Sequence, residues 1–300
     1  MMKRRSLVKY NKKETMVAYI CLLPALTFAF IFVVIPLINV FYLSLTNWDL
    51  IKTSKKFIGL QNYKYIFSDA KFTKSIVNTL LFAGVKIPAD LVLSLCIAML
   101  LDRKIWVRRF FRASYFAPVV LPMVAATLIW IWIYDPTFGP LNQILELFGL
   151  SPVKWLYDPK WAMFSVILFS LWKGLGYNIV IFLAGLQAIP DTYSEAARID
   201  GANDRQIFFK ITLPLLSPIV NFVVLMGIIN SFKIFTQISV MTPEGGPLYS
   251  TGVMVFYIYQ QAFEKFKIGR ASAAAVILFL MVLALTGVQK KLGKKHIHYM

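Results

Sequence analysis

The sequence predicts an all-α integral membrane protein with six transmembrane helices, and three observations carry that prediction. Hydrophobic residues make up 58% of the 300 and charged residues only 15%, whereas about a quarter of the residues in a soluble domain are charged. The mean hydropathy is +0.66. The apolar residues gather into runs of about 20, the length that crosses a bilayer as a helix; six such runs lie at 17–45, 76–101, 113–134, 161–186, 217–238 and 272–289. Basic residues crowd the ends of these runs, as they do at the cytoplasmic ends of membrane helices.

Taken in order, the first run follows a basic tail but is too long for a signal peptide and lacks a small-residue cleavage site, so it reads as an uncleaved helix. Pro24 and Pro36 in this run, and Pro88 in the second, predict kinks whose freed carbonyls need internal partners. The second run also carries Lys86 and Asp90, four apart and therefore on one helix face. They are either a neutralised pair that fixes the kink or a gating or substrate contact.

The fourth run holds Trp172, Lys173, Tyr177 and Asn178, and the fifth holds Asn230, Ser231, Phe232, Lys233 and Gln237. Polar groups in hydrocarbon are costly and face the bundle interior or a wet cavity, so these residues mark a candidate substrate path. Lys173 and Lys233 have a second reading, in which their long stems reach toward an interface. Tyr177, Asn178, Asn230 and Phe232 offer aromatic faces and amides that both donate and accept hydrogen bonds. Cys21 and Cys96 fall within runs, where a thiol is a small hydrophobe rather than half of a disulfide.

Charge orients the bundle. Lys3, Arg4, Arg5, Lys9, Lys12 and Lys13 precede the first run; Arg103, Lys104, Arg108, Arg109 and Arg112 join the second to the third. Arg198, Arg205 and Lys210 lie between the fourth and fifth, and Lys290, Lys291, Lys294 and Lys295 follow the sixth, eighteen in all. The opposite side has eleven, which predicts both termini in the cytoplasm. The net charge of +18 then belongs to helix ends that meet anionic lipid head groups, and not to nucleic-acid binding.

Between the fourth and fifth runs the chain predicts helix, glycine elbow, helix. Thr192 stands three residues before Glu195 in a capping-box pattern, so a short helix is expected over 192–200, with Gly201 as its left-handed stop. Asn203 and Gln206 repeat the capping pattern for the next helix. Ala196 and Ala197 leave the first helix thin, so that a partner surface can close on its backbone while Glu195 presents a charge.

Several activities find no residues here. The Gly-x-x-x-x-Gly-Lys-Ser/Thr loop that cradles nucleotide phosphates is absent, as are a Gly-x-Ser-x-Gly elbow and a His-Glu-x-x-His helix. His296 and His298 are the only histidines and sit in the basic tail, away from any buried metal site or proton relay. No catalytic residue, metal site or cofactor is expected, and the chain is not read as an enzyme. An ion-coupled secondary transporter would need buried carboxylates and inverted repeats; Asp90 is the one clear acid within a run, and no repeat is evident.

The strings Ala184-Gly185-Leu186-Gln187-Ala188-Ile189-Pro190, Glu195-Ala196-Ala197-Arg198-Ile199-Asp200-Gly201-Ala202 and Phe208-Phe209-Lys210-Ile211-Thr212-Leu213-Pro214 resemble the cytoplasmic EAA loop of bacterial binding-protein-dependent ABC importers. Their wording is similar to the carbohydrate-uptake branch, the maltose- and glycerol-phosphate-type permeases. Met241-Thr242-Pro243-Glu244-Gly245-Gly246-Pro247 is similar to that branch's Thr-x-Gly-Gly-Pro signal near the outer face.

The resemblance implies the transmembrane domain of a type I importer (MetI-like). Residues 1–75 would form an N-tail, accessory helix and first external loop, and residues 76–300 the core, with the EAA loop at 188–216. It further implies a second homologous permease, a cytoplasmic ATPase dimer that couples through Glu195, Ala196, Ala197, Asp200 and Gly201, and an external solute-binding protein, all at the bacterial cytoplasmic membrane. A di- or oligosaccharide is the expected solute, with glycerol phosphate as the anionic alternative.

Overall fold

The computed structural model describes residues 12–51, 55–102 and 108–294. The expectations for Lys3, Arg4, Arg5, Lys9, Arg103, Lys104, Lys295, His296 and His298 fall outside them. The described residues are helical apart from loops, and their only β pairing is an isolated bridge between Thr46 and Phe57.

The first span is α1 (Lys12–Ala29), a π-helical turn (Phe30–Val34) and α2 (Ile35–Ser44). The helix runs through Pro24, and the missing donor of Pro36 is absorbed by widening the preceding turn rather than by a break. The α1 side chains from Thr15 on are exposed, while α2 packs on the last helix. Next come α3 (Gln61–Ser68) and the second span, α4 (Ala70–Asp102), unbroken at Pro88. Since α4 starts at Ala70, the expected division at 75/76 falls inside one continuous helix.

The third span departs from the expected single helix. It consists of α5 (Arg108–Val120) and α6 (Met123–Ile133), bent by 110°. Pro122 is the reason, because it lacks an N–H and drives the residue before it out of the helical region. After α7 (Pro140–Leu147), α8 (Pro159–Gln187) is the long, straight fourth span, and its face against α4 is the most extensive helix contact in the molecule.

The fifth span is also segmented. The elbow helices α9 (Asp191–Ile199) and α10 (Asp204–Ile207) lead through a π turn (Phe208–Thr212) and α11 (Leu213–Leu215) into α12 (Ser217–Phe232), at 65° to the preceding segment. The run expected to continue to 238 stops at Phe232 and resumes as α13 (Thr236–Met241). Then come α14 (Met254–Tyr259) and the sixth span, α15 (Ile268–Lys294), which packs on α2, α3, α12 and α14. Four helices suffice to cross a membrane by length and composition, or six if each bent pair counts as one span.

Two apolar clusters fix the helices at different levels. One joins Phe82 of α4 to Val166, Ile167 and Leu171 of α8 and to Ile234, Ile238 and Phe256. The other joins Ala98 and Leu101 of α4 to Ile179, Phe182 and Leu183 of α8 and to Val223 of α12. Along each of the three segments the polar residues picked out above, Gln237 excepted, lie in the interval between the clusters. A cavity opens there.

Candidate functional site

The cavity encloses about 410 Å³, within the range of small-molecule sites. Seven of the eight expected path residues line it: Lys86, Asp90, Lys173, Tyr177, Asn178, Asn230 and Lys233. Phe232 does not. It is 2% exposed and points from α12 toward Ala83 of α4 and Leu278 of α15, away from the side that carries Asn230. The aromatic faces open to the cavity are Tyr177 and Phe235, while Phe82 and Phe169 border it from within the core. Trp172 likewise serves packing, its ring 5.3 Å from Trp130.

The polar groups are not equivalent. Lys86 Nζ lies 2.6 Å from Asp90 Oδ2 within α4, and Asn178 Nδ2 donates to the same oxygen across the α4–α8 interface at 3.0 Å. The pair is therefore neutralised, yet Asp90 Oδ1 is buried with no partner among the described residues. Lys173 Nζ donates to the backbone carbonyls of Pro118 and Val119 at 2.6 and 3.1 Å. Its stem thus reaches across to α5, not out to an interface as one reading expected. Asn230 and Lys233 are exposed to the cavity. Ser170, Ser231, Thr236 and Gln237 complete the polar lining, with Gln237 Nε2 donating to Ser170 Oγ at 3.4 Å. Ser170 and Thr236 carried no signal in the sequence, since single hydroxyls in apolar runs usually bond their own helix backbone, as Ser170 does to Val166.

Nine residues along α8 from Asn178, about 13 Å at the helical rise, the chain reaches the elbow. The α9 helix has no buried residue. The expected capping box at Thr192 does not form: Pro190 occupies the N-cap position and Asp191 opens the helix, which leaves Thr192 inside the first turn. The other end matches expectation. Gly201 has φ +82, Ala202 N donates to Ala197 O at 2.9 Å, and Gly201 N donates to Arg198 O at 3.0 Å, the paired bonds of a Schellman stop. At α10, Asn203 and Gln206 form both halves of the capping box at 2.9 Å.

The elbow therefore holds its shape by local hydrogen bonds. Arg198 and Asp204 pair across it at 3.0 Å, but both are so exposed that the pair adds little. Ala197, Asp200, Gly201, Gln206 and Lys210 line an open groove on one side. Glu195 and Ala196 are exposed.

Comparison with known proteins agrees with this architecture. Residues 91–297 match the model of the binding-protein-dependent transport system inner membrane component. The chain is 37% identical to the probable ABC transporter permease protein YurN of Bacillus subtilis, over 96% of this chain and 98% of that one. It is 33% identical to the trehalose/maltose transport system permease protein MalF of Thermococcus litoralis, over 95% and 96%. Its fold resembles a chain in the crystal structure of a bacterial alginate ABC transporter in complex with an alginate pentasaccharide-bound periplasmic protein, with a TM-score of 0.83, 22% identity and coverage of 94% and 96%. The chain belongs to the inner membrane component family of binding-protein-dependent transport systems, the membrane-spanning permease subunits of ABC importers.

Proposed function

We propose that the cavity between α4, α8 and α12 is the solute path, and that the solute is a neutral di- or oligosaccharide. The observation that carries this is the state of the three cavity lysines. Lys86 is neutralised by Asp90, Lys173 is engaged by two carbonyls, and Lys233 alone has no partner among the described residues. One free ammonium is a poor match for a dianionic phosphate, whereas the amide of Asn230, the phenol of Tyr177 and the ring of Phe235 suit hydroxyls and sugar ring faces. The trehalose/maltose permease relative supports the same class.

The work of transport comes from a separate ATPase dimer docked on the α9–α10 elbow, with Glu195, Ala196, Ala197, Asp200 and Gly201 at the contact. Leu216, just past the elbow, belongs to the cluster of Phe182 and Leu183 on α8. That packing offers a route by which elbow motion reaches the cavity. A second homologous permease completes the path, an external solute-binding protein delivers the sugar, and both termini face the cytoplasm. Residues 1–75 act as an accessory segment to the core, joined to it through the continuous helix α4, which begins at Ala70.

The test is a binding screen of the cognate solute-binding protein against neutral disaccharides, oligosaccharides and glycerol phosphate, followed by uptake of two competing ligands. Asn230→Ala should change the preference between two sugars at unchanged complex yield. Binding of glycerol phosphate alone, with uptake abolished by Lys233→Gln, would overturn the neutral-sugar assignment.

A further inference from the structure

We propose that Lys173 is a positioning residue that holds the broken third span together and so fixes one wall of the cavity. In an uninterrupted helix, Pro118 O would accept from the N–H of residue 122 and Val119 O from that of residue 123. Residue 122 is a proline with no N–H, and Met123 opens α6 after a 110° bend. Both carbonyls thereby lose their helical partners within a membrane-spanning segment and are left for a side chain or cavity water to satisfy. These are the two carbonyls that receive the Lys173 ammonium.

A lysine is suited to this task because it carries three donors on one atom and no acceptor. Its position on α8 is fixed by a second feature. Gly176, three residues along the same face, lets the α5 backbone come close; a Cβ there would lie 2.0 Å from Tyr115 O. The glycine brings α5 against α8, and Lys173 closes the bonds that the break opens. Val119 and Met123, on either side of the break, both line the cavity. The geometry of the break therefore sets the width of the path. This role follows from the backbone alone and holds whatever solute the cavity carries.

The experiment uses the assembled, purified transporter with Cys21→Ser and Cys96→Ser and a single reporter, Met123→Cys, labelled by a water-soluble maleimide without solute. Lys173→Met keeps the stem and removes the donors; it should change the labelling rate about tenfold or more, since one hydrogen bond from a charged donor is worth that factor and Lys173 makes two. Lys173→Arg keeps the donors and should stay within about twofold of the parent. Pro122→Ala restores a backbone N–H and should remove most of the Lys173→Met effect. An unchanged rate in Lys173→Met, or an effect equally large with and without Pro122→Ala, overturns the proposal. If Lys173→Met does not assemble, rescue of assembly by Pro122→Ala supports the proposal and failure of rescue overturns it. A wrong solute assignment would leave every one of these labelling rates untouched.

Discussion

Replacing Gly201 isolates the backbone of the elbow from its surface. The residue sits at φ +82, and a Cβ built there meets nothing within 4 Å, so a substitution costs only the left-handed conformation. That cost is about 1 kcal/mol for alanine and up to about 2 kcal/mol for a β-branched residue, and it is least for asparagine, which tolerates this region. No residue of α9 is buried, so packing within the chain does not offset the strain, and 1–2 kcal/mol depletes the native elbow by about 5- to 30-fold. ATPase retention on purified membranes and solute uptake should therefore fall in the order Gly, Asn, Ala, Val, while membrane insertion stays constant. Equal behaviour of Val and Gly would refute the elbow argument. An asparagine variant as defective as valine would show that the surface, and not φ, is what the ATPase reads.

Asn142 bonds Pro136 O, Val153 O, Val153 N and Trp155 Nε1 from a buried position; Asn142→Leu leaves four polar groups unpaired and should cost about 3 kcal/mol or more, measured as a fall in melting temperature of the purified complex. For Lys86 and Asp90, each single apolar substitution should destabilise by about 3–5 kcal/mol and the double substitution by much less, and an additive cycle in thermal unfolding would show that the pair is not coupled. A reporter fused after Gly201 should be protected from external reagents and one within 135–160 accessible; the reverse pattern would remove the docking role of the elbow. The Asp135 carboxylate accepts from the N–H groups of Thr137 and Phe138, which hold its pKa below the usual carboxylate value. The stability it lends the loop is present above the unfolded pKa and lost as pH falls through the lowered folded value, so Asp135→Asn should abolish that acid-induced loosening in hydrogen exchange.

What the sequence determined by itself is whatever physics decides within a few residues. Apolar run length set the number and order of the spans, because transfer into hydrocarbon is summed over one helix at a time. Gly201 and the Asn203–Gln206 box were legible because a stop and a cap are closed by bonds across three to five residues. Thr192 misled for the same local reason, since Pro190, two residues earlier, takes the capping position. The tertiary structure alone decided which faces meet. In a membrane the lipid-facing and packed sides of a helix are both apolar, so periodicity does not separate Phe232, in the core, from Phe235, on the cavity. Pro122 was not among the prolines read as kinks, and the 110° bend and its repair by a lysine over 50 residues away depend on how α5 settles against α8. Lys173 could be read as polar from the sequence, and only the packing shows that its partners are two carbonyls that a proline left bare.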